Sequence, residues 1–274
     1  LDGGAMFGVV PKVIWNKLNP ADENNLCSWA MRCLLIEDGN RLILVDNGLG
    51  DKQDEKFFGH YHLHGDDSLD KSLAKLGFSK DDITDVILTH LHFDHCGGSI
   101  VRKGEQLVPA FKNATFWSNE EHWNWAVYPN DREKASFLKE NILPIQESGQ
   151  LKMIASGTGS DSQLKSTSFS ENISIRFANG HTEKMMLPQI NYKGKTIVYM
   201  ADLLPAAAHL PIPYVMAYDM FPLTTLHEKK AFINEAMEND YILFFEHDPK
   251  IECCSLQQTE KGVRLKEAFK LSDL

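Results

Sequence analysis

Short apolar runs rich in Leu, Ile and Val recur along the chain and alternate with polar stretches that have helical spacing. Apolar runs of this length, bounded by Gly, Asn and Asp, indicate buried β-strands. We predict strands over residues 29–37, 41–46, 85–89, 172–178, 195–201 and 241–246. Asp38-Gly39-Asn40 separates the first two runs and is a turn signal, so these two strands are predicted to form a hairpin.

The stretches between the strands predict helices. Leu69, Leu73 and Leu76 recur as on one helix face, and Gly77 supplies a C-terminal stop. Thr225-x-x-Glu228 matches a capping box at the start of another helix. The predicted helices cover residues 68–76, 118–127, 131–142, 225–238 and 257–270. Residues 156–168 are rich in Ser and Gly and predict a long surface loop.

This order of elements predicts the fold class. Many strands with a few helices between them favour layered sheets covered by helices, an α/β (α+β) fold, over a bundle or an all-β sandwich. No internal repeat and no Gly/Ser/Pro linker divides the pattern, so we expect a single domain over residues 1–274.

Charge and cysteine content limit the partners and the cellular location that we expect. The 274 residues include 28 Lys+Arg and 38 Asp+Glu, a formal net charge of −10. Nucleic acid and anionic membranes require a basic face, so we expect neither as a partner. The expected partner is a small-molecule substrate. No apolar stretch approaches the roughly 18 residues of a membrane span.

The five cysteines include no C-x-x-C and favour a reducing, cytoplasmic location, with a removed signal peptide as the open alternative. The sequence leaves a homodimer open.

The most informative segment is Thr89-His90-Leu91-His92-Phe93-Asp94-His95, which follows the predicted strand 85–89. Side chains two positions apart point to the same side of an extended chain, so His90 and His92 can hold one cation. Asp94 and His95 follow where the chain turns and can face a second cation. Imidazole and carboxylate are ligands for zinc, iron, manganese and cobalt, so the segment predicts a metal site.

Three later positions repeat one arrangement, a residue able to bind metal at the end of a predicted strand. These residues are His181, Asp202 and His247. Because all three end apolar strands, we expect them at one edge of the sheets, with the histidine-rich segment.

The ordered set of His-x-His-x-Asp-His, Gly-His-Thr, an Asp after a strand and a late His resembles the metallo-β-lactamase superfamily of hydrolases. The matching segments run from residue 90 to residue 247. The resemblance implies an αββα sandwich, two β-sheets flanked by helices, with two divalent metal ions, most often zinc, at one edge.

The resemblance also implies which ligands hold which ion. The first ion would be held by His90, His92 and His181. The second would be held by Asp94, His95 and His247. Asp202 would bridge the two ions, and a carboxylate suits that position because its two oxygens can span two cations.

Residues 3–12 and 202–219 are similar to the branch of quorum-quenching lactonases and methyl-parathion hydrolases. We therefore expect a hydrolase in which a metal-bridging hydroxide opens a lactone, with N-acyl homoserine lactones as the first choice and Asp94 or Asp202 moving the proton. A phosphotriester hydrolase on the same centre is the alternative, and a mononuclear-iron oxidoreductase like persulfide dioxygenase is a third. Smaller lactonases of the branch place a tyrosine close behind the bridging Asp. Leu203, Leu204 and Pro205 stand there in this chain, which leaves Tyr214 and Tyr218 as candidates for assisting the leaving group.

Overall fold

The computed structural model describes residues 1–156 and 166–274, and the chain divides into two compact units. The central unit is Cys33–Ala155, and the terminal unit combines Leu1–Arg32 with Ser156–Leu274. Most of the predicted loop 156–168 lies outside the described residues, and its last three residues form a strand. The single domain predicted over residues 1–274 stays a prediction.

The described residues form the α-helices α1 Gly3–Phe7, α2 Lys12–Trp15, α3 Glu55–Gly59, α4 Leu69–Lys75, α5 Phe93–Cys96, α6 Glu120–Val127, α7 Lys139–Glu147 and α8 Pro222–Glu238. They form the strands β1 Leu34–Asp38, β2 Arg41–Val45, β3 Asp85–Ile87, β4 Ile100–Lys103, β5 Gln106–Pro109, β6 Thr115–Ser118, β7 Leu151–Met153, β8 Ser166–Ser168, β9 Ile173–Ala178, β10 Met185–Tyr192, β11 Lys195–Tyr199, β12 Ile242–Phe244, β13 Cys253–Thr259 and β14 Gly262–Phe269. Mixed sheets with helices against them confirm the predicted α/β class.

The central unit is built on a five-stranded sheet in the order β1-β2-β3-β6-β7. β1 and β2 form the predicted antiparallel hairpin, and the pairs β2–β3, β3–β6 and β6–β7 are parallel. The turn works because Gly39 has φ 64°, a left-handed conformation that costs glycine little. Leu44, Val86 and Phe116 from this sheet lie in one buried core. The parallel strands bring the ends of β2 and β3 to the same edge.

A tight turn follows the histidine-rich loop in the central unit. A Cβ atom built on Gly97 would lie 2.1 Å from the backbone oxygen of Leu49, so only glycine allows this approach. The buried Lys52 ammonium donates a hydrogen bond to the Gly97 carbonyl at 2.6 Å, and burial lowers the pKa of Lys52. This packing fixes the backbone directly behind α5.

One central helix differs from its prediction. The helix predicted over residues 131–142 begins at Lys139 and ends at Glu147. Asn130 Oδ1 accepts hydrogen bonds from the backbone N–H groups of Arg132 and Glu133, at 2.9 and 3.1 Å, and closes a turn there instead. A short amide side chain competes with helix formation in this way.

The terminal unit is built on a seven-stranded sheet in the order β14-β13-β12-β11-β10-β9-β8. Within the described strands of this sheet, only the pair β11–β12 is parallel, and α8 connects these two strands. A second core joins Phe7 and Trp15, whose rings stack at 5.1 Å, while His209 stacks on Phe7 at 4.7 Å. Burial lowers the pKa of His209 to about 4, which is consistent with a neutral core histidine.

The predicted final helix over residues 257–270 is wrong. β13 and β14 form an antiparallel hairpin there, with Thr259 paired to Gly262 across the turn. Gly262 has φ 88°, a value typical of glycine in turns and foreign to a helix. Pairing between residues as distant as Cys253 and Phe269 decides this segment, and spacing along the chain does not report it.

The start of α8 also differs. The helix begins at Pro222, three residues before the predicted capping box, and Thr225 lies inside it. The Glu228 carboxylate accepts hydrogen bonds from the backbone N–H groups of Asn179 and Gly180, at 2.8 and 3.0 Å. Burial raises the pKa of Glu228. The residue expected to cap the helix therefore holds the loop after β9.

The described residues can be compared with the expectations about disulfides and membrane spans. Their five cysteines form no disulfide. Across residues 1–156 and 166–274, every helix is too short or too polar to span a membrane.

Candidate metal centre

The histidine-rich loop follows β3 and is buried in the central unit. His90, His92 and His95 expose 0%, 6% and 0% of their surface. His90 Nε2 lies 3.1 Å from His92 Nδ1. Two nitrogens bound to one tetrahedral zinc ion at about 2.0–2.1 Å lie about 3.3–3.4 Å apart, so this pair can share a cation.

Asp46, directly after β2, anchors the loop. It is fully buried and has φ 55°, a conformation that is uncommon for residues other than glycine. Its carboxylate accepts hydrogen bonds from Thr89 N at 2.8 Å and Thr89 Oγ1 at 2.6 Å, and Asp46 Oδ2 lies 3.0 Å from His95 Nδ1. A carboxylate only accepts, so His95 carries its proton on Nδ1, and Nε2 is the nitrogen that can bind an ion.

The same carboxylate orients His90 through a hydroxyl group. Thr89 Oγ1 uses its single hydrogen toward Asp46, so it accepts from His90 Nδ1, which lies 3.1 Å away. His90 then presents Nε2 to an ion. Asp46 therefore sets the orientation of two predicted ligands at once.

The remaining central ligands are His92 and Asp94. The ring of His92 is turned by Glu133, whose Oε1 lies 2.9 Å from His92 Nε2, so Nδ1 is the nitrogen that can bind. Asp94 is partly buried, and its Oδ1 lies 3.9 Å from His95 Nε2. Asp94 and His95 can therefore reach one ion together.

In the terminal unit, His181 follows β9 on the loop that Glu228 holds. His181 Nδ1 lies 2.8 Å from Asp219 Oδ1, and both side chains are buried. The carboxylate accepts, so the proton lies on Nδ1 and Nε2 is the nitrogen for an ion. A Cβ on Gly180 would lie 2.3 Å from Thr225 Oγ1, so glycine is required beside this ligand.

His247 follows β12 and is oriented by the backbone. Its Nδ1 lies 2.7 Å from the carbonyl oxygen of Ala30 and donates to it, which again leaves Nε2 for an ion. The backbone N–H of His247 donates to Pro205 O at 3.0 Å. The last predicted ligand thus depends on a residue near the N-terminus.

Asp202 follows β11 and lies between these two rings. Its Oδ2 is 3.1 Å from His181 Nε2, and its Oδ1 is 3.1 Å from His247 Nε2. The preceding residue, Ala201, has φ 41°, and such strained backbone is often found at functional sites. One carboxylate therefore faces two imidazoles, one with each oxygen.

These contacts test whether the residues fit a metal. Each Nε2 that faces Asp202 is the nitrogen left unprotonated by its Nδ1 hydrogen bond. A lone pair and a carboxylate oxygen 3.1 Å apart repel each other unless positive charge lies between them. A second proton on each ring or a divalent cation would supply that charge. The central unit offers three imidazoles and one carboxylate, and the terminal unit offers two imidazoles and one carboxylate. These ligand types suit zinc, and each of these side chains can contribute one atom to an ion.

Four buried acids hold the predicted ligands or their loop and were not predicted from the sequence. Asp46, Glu133 and Asp219 orient ligand rings, and Glu228 holds the loop before His181. Asp46 ends the predicted strand 41–46, so the strand-end signal that identified Asp202 applied to it as well. The other three lie far along the chain from the groups that they contact, and no local pattern indicates such a pairing. The candidate tyrosines differ in exposure. Tyr214 packs edge-on to Phe7, while Tyr218 is 42% exposed, and a role for either in the leaving group stays a prediction.

Comparisons with known proteins find relatives of this chain in sequence and in structure. A family model described as the Metallo-beta-lactamase superfamily matches residues 32–251. An N-acyl homoserine lactonase from Bacillus thuringiensis is 28% identical over 137 residues, which is 46% of this chain and 48% of the relative. The corresponding protein from Bacillus cereus is 29% identical over the same share of each chain. The chain matches about half the length of these curated relatives.

Solved structures extend the likeness over the whole fold. A probable metal-dependent hydrolase from Staphylococcus aureus has a TM-score of 0.84 and 27% identity, covering 98% of this chain and 94% of that one. AidC, a dizinc quorum-quenching lactonase in complex with a product, has a TM-score of 0.70 and 24% identity, covering 88% of this chain and 80% of that one. At that identity, the likeness to AidC concerns the fold alone.

Proposed function

The chain belongs to the metallo-beta-lactamase superfamily, and from that membership we propose that it is a two-metal hydrolase that opens N-acyl homoserine lactones. The observation that carries the proposal is Asp202, whose two oxygens face the ligand nitrogens of His181 and His247 at 3.1 Å each. A carboxylate placed in this way suits a bridge between two cations.

The proposed ligand sets follow the family pattern. The first ion is assigned to His90, His92 and His181. The second is assigned to Asp94, His95 and His247. Asp202 contributes to both, and zinc suits the imidazole-rich donor set best, with iron, manganese and cobalt as alternatives. Such ions, when bound, lower the pKa of water toward neutrality and polarise a carbonyl group.

The protein's own residues have two tasks in this proposal. The buried acids and the Ala30 carbonyl hold the five rings in fixed tautomers, so their ligand nitrogens need no reorientation. Hydrolysis adds a hydroxyl group to the lactone carbonyl carbon and a proton to the ring oxygen as the bond between them breaks. Asp94 and Asp202 are the carboxylates proposed to hold that proton and pass it to the ring oxygen.

The substrate class rests on two supports. The curated relatives in the comparison are N-acyl homoserine lactonases, and residues 3–12 and 202–219 resemble the lactonase branch. A phosphotriester could use the same centre, so we expect weaker activity on that class.

The test compares kcat/KM on acyl homoserine lactones of several chain lengths, an aryl phosphotriester and a chromogenic β-lactam, together with metal content. We expect two ions per chain and a preference for a lactone. A phosphotriester preference of 100-fold, about 2.7 kcal/mol in the transition state, would reverse the assignment. One iron per chain with no lactone opening would favour the mononuclear oxidoreductase.

A further inference from the structure

Glu133 is a buried acid outside the seven predicted ligands, and both of its oxygens are engaged. It is 3% exposed. Oε1 lies 2.9 Å from His92 Nε2, and Oε2 accepts from the indole Nε1–H of Trp125 at 2.6 Å and from Asn130 Nδ2 at 3.4 Å. The carboxylate thus binds one ring nitrogen of a predicted ligand and one indole nitrogen on α6.

The local fold is arranged to present this carboxylate. Asn119 caps α6, because its side chain accepts from His122 N at 2.9 Å, and α6 carries Trp125. Asn130 closes the turn that ends at Glu133. The chain then continues to Ser136, whose carbonyl oxygen accepts from the backbone N–H of Phe93 at 3.0 Å. The turn and the histidine-rich loop are therefore tied together next to the ligand.

The other side of His92 is held by packing. Its ring lies 4.8 Å from the ring of Phe137 at an interplanar angle of 49°. With Glu133 on Nε2 and Phe137 against the ring, His92 has little freedom to rotate. The nitrogen that faces His90 is Nδ1.

We propose that Glu133 is the positioning residue for His92, holding the proton on Nε2 and turning Nδ1 toward the ion. This inference rests on the proposed function only in taking His92 as a metal ligand. A carboxylate that accepts from a ligand imidazole also makes that ring a stronger donor, and loss of such a partner commonly lowers metal affinity by about 10–100-fold.

The two short N–H contacts to Glu133 give the proposal a specific signature. A glutamine at this position has one acceptor oxygen for the two donors that lie within 3 Å, His92 Nε2–H and Trp125 Nε1–H, while Asn130 Nδ2 is a longer contact at 3.4 Å. Its NH₂ group must then oppose one of them. Removing the indole N–H with Trp125→Phe relieves this conflict, so the second substitution should repair the first.

The experiment measures zinc retention against a competing chelator for the metal-loaded chain and for Glu133→Gln, Trp125→Phe and the double variant. We expect Glu133→Gln to lose one of two ions with about 10–100-fold lower affinity. We expect Trp125→Phe alone to change little and the double variant to recover most of the loss. Glu147→Gln removes an exposed carboxylate of the same unit and is the control for charge.

Equal retention by the wild type and Glu133→Gln overturns the role of Glu133, and so does a double variant that is no better than Glu133→Gln. A wild-type chain that binds no zinc overturns the proposed function as well. If Glu133→Gln fails to fold, ¹⁵N spectra of the zinc-loaded wild type decide the matter. The ring signal that disappears in His92→Ala should report a proton on Nε2, and a proton on Nδ1 contradicts the proposal.

Discussion

The two units present their ligands in different ways. In the central unit, four predicted ligands fall within residues 90–95, and buried acids from other parts of that unit orient three of the rings. In the terminal unit, His181, Asp202 and His247 come from three separate strand ends, and Asp202 faces both rings. Contiguous ligands make a motif that can be read from sequence. Dispersed ligands need a rigid sheet to bring them together.

The backbones behind the ligands show a second contrast. In the central unit, Lys52 donates to one carbonyl, that of Gly97. In the terminal unit, the buried Lys229 ammonium donates to the carbonyls of Pro211, Ile212 and Tyr214, at 2.9, 3.3 and 2.7 Å. The segment that Lys229 holds leads to Asp219, the partner of His181. In the terminal unit, the buried Lys229 therefore holds the segment that leads to Asp219. In the central unit, the predicted ligands lie within one short motif, residues 90–95.

The largest effect should come from the carboxylate that two rings share. Asp202→Ala should lose at least one ion, and kcat/KM should fall by at least about 100-fold, or about 2.7 kcal/mol. Metal analysis and lactone turnover measure this, with the exposed Glu260→Ala as the control. Two tightly bound ions with full turnover would remove Asp202 from the centre.

A second pair of variants tests the assignment of ligands within the central unit. Asp94→Asn should weaken binding of the second ion more than binding of the first, because an amide is a weaker ligand and has no charge. His92→Ala should weaken binding of the first ion. Anomalous scattering from crystals of each variant identifies the lost ion. If both variants empty the same position, the assignment is wrong.

The orienting acids of the two units should differ in importance. Asp46 serves three donors, so Asp46→Asn must turn an NH₂ group toward one of them. We expect metal affinity to fall by about 10–100-fold. Asp219→Asn keeps an oxygen for His181 Nδ1 and should lose less than about tenfold. Chelator competition measures both against the exposed Asp51→Asn, and an equal loss in the two variants would remove the distinction.

The last prediction concerns the stability that the buried Lys229 side chain controls. Burial lowers the pKa of Lys229 to about 7 from the ordinary lysine value of 10.5. Between these values the unfolded chain binds a proton that the folded chain does not, so the free energy of unfolding rises with pH, by up to about 1.4 kcal/mol per pH unit. Below pH 7 this gain is absent.

Urea unfolding at pH 7, 8 and 9 with matched metal content should therefore show a steeper rise for the wild type than for Lys229→Met. The exposed neighbour Lys230→Met should keep the wild-type slope. Parallel curves for the wild type and Lys229→Met would show that Lys229 titrates alike in both states.

The sequence predicts much of this fold because its signals are local. The first hairpin, α4 and the strands that end at ligands follow from short apolar runs and turn residues. β10 was missed because Pro188 lies within it, and proline usually argues against a strand with two neighbours. Pairing of β10 with β11 begins at Gln189, directly after that proline. The orienting acids were missed for a similar reason, since Glu133 meets His92 across 41 positions.

The contact between Ala30 and His247 determines which residues a shortened chain must keep to orient this predicted ligand. The region that defines the family starts at residue 32, yet the carbonyl that aims the last ligand belongs to Ala30. Backbone bonds from Ala30 N to His247 O and from Arg32 N to Glu246 O, both 3.0 Å, join the same two stretches. A chain that began at residue 32 would still contain all seven predicted ligands. It would lack the carbonyl group that orients one of them, so the span of the family model leaves out a contact on which a predicted ligand depends.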